Sequence, residues 1–195
     1  MVSRLILFVA LGLVVLSGCG SDAAVSGAEM ERLRAQGVAP DLVYLVDLPG
    51  YELAEQSMGV INEEGFGAVY ASPEGRQVEL RVDHGAFGDD VCQGVPVHNA
   101  TPPDARVTCE RDDAGWYRVA GDRHEYVSVQ GDRLLTLNGR VTEVSRDALK
   151  AAVAGARHAV SDGSGTPEPP RTPVQRGDLP TAGDGAPNNE VGAGG

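Results

Sequence analysis

The run Val107-Thr108-Cys109-Glu110-Arg111 is followed by Asp112-Asp113-Ala114-Gly115 and then by Trp116-Tyr117-Arg118-Val119. Two short stretches rich in β-branched and aromatic residues flank a cluster of turn formers, the pattern of a β-hairpin. The next stretches continue it. Glu125-Tyr126-Val127-Ser128-Val129, the pair Gly131-Asp132, and Leu134-Leu135-Thr136-Leu137 before Asn138-Gly139 read as two further strands of a meander.

Working outward toward the N-terminus, Gly67-Ala68-Val69-Tyr70-Ala71 precedes Pro73-Glu74-Gly75 and then Val78-Glu79-Leu80-Arg81-Val82-Asp83. Apolar and charged residues alternate strictly in the second arm, which predicts a hairpin with one solvated face. Leu42-Val43-Tyr44-Leu45-Val46, closed by Pro49-Gly50, predicts a strand buried on both faces. Tyr51 to Phe66 shows no clear period and is unassigned. Gly85 to Ala105 holds Cys92 and three prolines without periodicity and reads as a long irregular loop. The expected fold class is therefore α+β: a mainly antiparallel sheet of about six strands joined by short turns, with one or two packed helices.

Two helices are predicted. Ser26-Gly27-Ala28-Glu29 matches a capping box, with Met30 and Leu33 on one face, Gly37 in the C-terminal position and Pro40 beyond. Ser145 caps a second helix whose Leu149, Val153, Ala156 and Val160 share a face, with Arg146, Lys150 and Arg157 turned away. Beyond Val160 the last 35 residues carry eight Gly, six Pro and no aromatic residue. Such a segment buries too little apolar surface to offset its ordering entropy, so 161–195 is expected to be a disordered tail.

At the other end, Met1-Val2-Ser3-Arg4 is a short cationic start followed by twelve apolar or glycine residues, Leu5 to Leu16. That layout fits an export signal, and the run is too short to cross about 30 Å of hydrocarbon, which takes about 20 apolar residues. Leu16-Ser17-Gly18-Cys19 resembles the lipobox of bacterial membrane lipoproteins. The resemblance covers only the first 20 or so residues. It implies removal of the signal 1–18, acylation of Cys19, a tether over 19–25, and a chain held on the outer face of the cell membrane; two or three acyl chains hold durably where one does not. The competing reading is an ordinary secretory signal with a free cysteine nearby. Lys150 is the single lysine among 16 basic residues. With abundant Gly, Ala and Val, this bias makes the chain similar to actinobacterial envelope proteins. In a Gram-negative envelope, Gly20, standing where a retention aspartate would be, implies the outer membrane instead.

With Cys19 assigned to lipid, Cys92 and Cys109 remain, and outside the cytoplasm two leftover thiols read as a disulfide. A metal or redox pair is the alternative, but the spacing is far from Cys-x-x-Cys and no histidine cluster flanks it.

The formal net charge of −12 argues against nucleic acid as a partner, since neutralising phosphates needs clustered Lys and Arg. It also disfavours docking on anionic lipid, which leaves anchoring to the acyl group. His84, His98, His124 and His158 are dispersed, and none stands in a zinc spacing, so no metal or cofactor is expected. Asp83-His84, Asp89-Asp90 and His98 could converge as an oxygen-rich or zinc site; a solvated acidic loop is the plainer reading. No nucleophile elbow, phosphate loop or Ser-x-x-Lys is present, and Glu63-Glu64, Asp89-Asp90 and Asp112-Asp113 fit turns. Trp116, Tyr117 and Tyr126 fall on neighbouring strands as a ligand-stacking platform or as core packing. The functional expectation is a non-catalytic module, about Ser26 to Val160, that binds an envelope protein or small ligand; the alternative is a small envelope hydrolase whose site the sequence does not display.

Overall fold

A computed structural model describes residues 25–159. The predicted signal, Cys19, most of the tether, Val160 and the tail lie outside the described residues. Within them the elements run α1 (Gly27–Ala35), β1 (Tyr44–Leu45), β2 (Glu52–Leu53), β3 (Gly59–Ile61), β4 (Gly65–Ala71), β5 (Gln77–His84), α2 (Asp89–Cys92), β6 (Thr108–Asp112), β7 (Gly115–Ala120), β8 (Arg123–Gln130), β9 (Arg133–Arg140), α3 (Arg146–Ala154) and β10 (Arg157–His158). The class is α+β. An eight-stranded sheet in the order β2-β4-β5-β9-β8-β7-β6, with β3 also on β4, stands beside a two-stranded sheet of β1 and β10, so the strands outnumber the six or so predicted. Every pairing is antiparallel.

The predicted hairpins form where local chemistry dictates them. Ala114 donates its N–H to Asp112 Oδ1 at 2.9 Å in the β6–β7 turn, the usual way an Asp closes a turn. Gly115 then takes φ of 135° with its Cα side against the Val127 carbonyl, a place where a Cβ would lie 2.2 Å from that oxygen. Both helix starts are capped as expected, Ser26 Oγ accepting the Glu29 N–H and Ser145 Oγ the Ala148 N–H. The capping box is only half made, because the Glu29 carboxylate turns to Arg32.

The structure departs from the sequence reading in five places. Leu42 to Val46 is buried throughout, yet only Tyr44–Leu45 is strand. Pro40 opens a single 3-10 turn, and the Val46 N–H donates to the Tyr70 hydroxyl at 3.0 Å instead of to a strand. Tyr51 to Phe66, unassigned from sequence, contains β2, β3 and the start of β4. The second helix ends at Ala154, and Arg157 belongs to β10. Arg146 and Lys150 do not turn away: Arg146 Nε donates to the Tyr126 hydroxyl at 3.2 Å, and Lys150 Nζ lies 3.2 Å from Asp112 Oδ2, fastening α3 to the β6–β7 hairpin. Val25, read as tether, is buried in the core.

The strands' period of two gives the sheet two unlike faces. One carries the core. Phe66, Ala68 and Tyr70, Val78, Leu80 and Val82, Leu135 and Leu137, and Tyr126 pack there against Met30 and Leu33 of α1 and Leu149, Ala152 and Val153 of α3. The other face is roofed in part by the segment from Gly85 to Val107. The disulfide between Cys92, at the end of the short α2, and Cys109 on β6 ties that roof to the sheet across a Cα separation of 6.2 Å.

Candidate functional site

The roofed face owes its chemistry to register. Glu79 on β5 pairs with Asn138 on β9, Asn138 with Glu125 on β8, Glu125 with Arg118 on β7, and Arg118 with Cys109 on β6. One polar row therefore crosses five strands and ends at the disulfide. The next row, parallel to it, is Arg81, Thr136, Val127, Trp116 and Arg111.

Arg118 and Glu125 form a buried ion pair with side chains 3% and 2% exposed. Arg118 also donates through Nε to the Cys92 carbonyl at 3.2 Å and through Nη2 to the Val95 carbonyl. Asn138 Nδ2 donates to Glu125 Oε2 at 3.0 Å and to the His98 carbonyl at 3.2 Å. Each of the three buried side chains thus reaches up to a backbone group of the roof or to a neighbour that does. A segment with little regular structure needs such partners for its polar groups, and here the sheet supplies them. Burial pushes the Glu125 carboxyl up and the Arg118 guanidinium down; their mutual attraction opposes both shifts.

Between roof and sheet lies a cavity of about 320 Å³. Phe87, Val91, Val95 and Pro96 line it from the roof; Val127 and Leu134 line it from the sheet. Its polar boundary is Arg81, His98, Thr136 and the Arg118–Glu125 pair, and Thr136 carries the only hydroxyl among these lining residues. Arg81 Nη1 donates to Glu79 Oε1 at 3.0 Å, and His98 Nε2 lies 3.6 Å from Glu79 Oε2. Phe87 sets one wall by stacking edge-on against Trp116 with centroids 5.3 Å apart, while the Arg118 guanidinium lies 5.2 Å from the Phe87 ring. Trp116 is fixed in turn by its indole N–H, which donates to Asp89 Oδ1 at 2.6 Å.

The structure separates several residues that the sequence grouped. Trp116 lies on the roofed face and Tyr117 and Tyr126 on the core face, their rings 5.2 Å apart, so the three do not form one platform. His84 stands among carboxylates of Asp41, Glu64 and Asp132, apart from His98, which faces Glu79. Asp83 accepts from Asn62, and Asp89 serves Trp116 and Arg111. His124 is buried on the core face with Nδ1 2.9 Å from the Tyr117 hydroxyl, and burial pushes its pKa down. His158 Nε2 lies 3.0 Å from the Pro40 carbonyl. Asp112 accepts from Ala114 and Tyr126 and Asp113 from Lys150, which leaves that pair a turn and a tie. Glu63 and Glu64 are exposed. Among the described residues no group of three or more His, Cys, Asp or Glu is disposed to hold a metal ion.

The cavity's Arg81, Arg118 and Glu125, and Asn138 beside them in the polar row, are not singled out by the sequence. Period-two alternation does put each opposite an apolar neighbour, but it reads them only as a solvated face. No family model, curated protein or solved structure matches this chain.

Proposed function

We propose that this chain is a lipid-anchored extracytoplasmic binding module that receives a small ligand in the cavity between its sheet and its disulfide-tied roof. The observation that carries the reading is the cavity itself. An apolar space of about 320 Å³ with a few convergent polar groups has the make-up of a small-molecule site, at the small end of the range of about 300–1,000 Å³. Its strongest charges are committed elsewhere: Arg118 and Glu125 neutralise one another and hold the roof, which suits a fixed receptacle better than proton transfer. The anchor rests on the lipobox-like Leu16-Ser17-Gly18-Cys19, and the acid balance of the chain leaves attachment to lipid.

Three measurements test this reading. Cys19→Ala should release the protein from the membrane fraction or leave its signal uncut; normal processing with full membrane retention overturns the anchor. The exported protein, examined by native mass spectrometry, should carry or take up small organic ligands, and Val127→Arg, which fills the cavity with a charge, should abolish that uptake. Turnover in hydrolase panels that disappears on His98→Ala or Thr136→Val replaces the binding module with an enzyme.

A further inference from the structure

We infer that the occupant of this cavity is an uncharged single-chain amphiphile: an alkyl chain of about eight carbons ending in a hydroxyl, ester or amide. The inference rests on the binding reading above and specifies its ligand class. Volume comes first. At about 30 Å³ per water-sized group, the cavity holds roughly ten non-hydrogen atoms, which suits one short chain and a small head.

Charge decides the head. The two guanidiniums on the boundary, Arg81 and Arg118, are each matched by a carboxylate, Glu79 and Glu125. His98 also faces Glu79. An anionic head on the remaining Arg81 N–H groups would sit beside the Glu79 carboxylate with no cation left unmatched, and a cationic head must approach two guanidiniums; either leaves an uncompensated charge in a half-enclosed apolar space. A neutral head meets no such penalty, because Thr136 can donate or accept and Arg81 keeps guanidinium N–H groups beyond the one given to Glu79.

The chain's place is marked by the roof. Val91 and Val95 are 38% and 42% exposed, two of the four large aliphatic side chains so exposed among the described residues, and both line this cavity. An alkyl chain lying between them and Val127, Leu134 and Phe87 would cover them. Phe87 stacks on Trp116, the single tryptophan of the chain, so filling the cavity should be read directly by its fluorescence.

The test uses residues 20–195, which keeps every described residue, exported behind a cleavable signal so that the disulfide forms. Octanol, octanoate and octylammonium are titrated at pH 7.5 while Trp116 emission is followed. Octanol should bind saturably, about fourfold tighter for each methylene from hexanol to octanol, and at least tenfold tighter than either ion. Val95→Asp, at an exposed roof position, should remove octanol binding at an unchanged melting temperature. Glu79→Gln should reverse the preference in favour of octanoate by freeing Arg81 and His98. Tighter binding of octanoate or octylammonium to the unaltered protein overturns the neutral-head inference and leaves the binding module standing. No saturable binding of any of the three to folded protein overturns the inference, and the binding module falls with it only if native mass spectra of the same protein also show no ligand.

Discussion

Replacing Glu125 by Gln removes one charge from a pair whose side chains are 3% and 2% exposed, and keeps the shape and the Asn138 contact. Arg118 is then left as a buried cation with the Cys92 and Val95 carbonyls and the Phe87 ring as partners but no counter-charge. Breaking a buried pair in this way costs about 3–5 kcal/mol, a large part of the roughly 5–15 kcal/mol that holds a domain folded. Arg118→Met alone should cost about as much, because it strands Glu125. The double variant Arg118→Met/Glu125→Gln behaves differently. Both charges leave together, and burial already pushes Glu125 up and Arg118 down, which means that desolvation weighs against the pair. What remains is the loss of donors to two roof carbonyls and of a partner for the new amide N–H at position 125 that faced Arg118, up to about 1 kcal/mol each. The double variant should therefore lie about 1–3 kcal/mol below the parent and above either single variant, with a coupling energy of several kcal/mol. Urea titration followed by Trp116 fluorescence, with the disulfide intact, measures all four corners of the cycle. A double variant destabilised by the sum of the singles would refute the reasoning, since it would mean that the two residues act independently.

Cys92→Ala should destabilise the fold by about 2–5 kcal/mol, the usual cost of losing a native disulfide; the mass of the exported chain should rise by two protons on reduction, and thiols that alkylate without reductant contradict the bridge. Burial holds His124 below its ordinary value of 6.5, so it is neutral when folded and protonates first when unfolded. Its contribution is full above pH 6.5 and is lost as the pH falls through the folded value. His124→Phe should flatten the decline in stability between pH 7 and 5, and an unchanged slope by urea titration rejects that assignment. Gly115→Ala forces a Cβ against the Val127 carbonyl at a φ that L residues avoid, and should cost at least about 1 kcal/mol in melting experiments; a neutral outcome would show that the β6–β7 turn relaxes.

What the sequence displays and what it hides divide along range. Ser26 and Ser145 cap their helices, and Asp112 closes its turn, through bonds to residues two or three positions on, so their readings need no tertiary knowledge. β2 and β3 are two and three residues long and exist only because β4 offers them edges, so Tyr51 to Phe66 has no period to read. Trp116 and Tyr117 are adjacent on a strand and must point to opposite faces, a separation from the supposed platform that alternation alone could have given.

The site lay further out of reach. Glu79, Arg118, Glu125 and Asn138 come from four strands and become one row only when three pairings are in register. Alternation records which residues are polar; it does not record whether water reaches them. That depends on the Gly85–Val107 roof, whose Cys92, Val95 and His98 carbonyls are met by side chains of the sheet. Cys109 joins the two accounts. It is the register partner of Arg118, so the covalent tie to Cys92 and the hydrogen bond from Arg118 to the Cys92 carbonyl fasten the same roof residue from one end of one row. The disulfide was legible from cysteine number and the expected address, but its position in the row, beside the buried pair and the cavity, is what makes it part of the site.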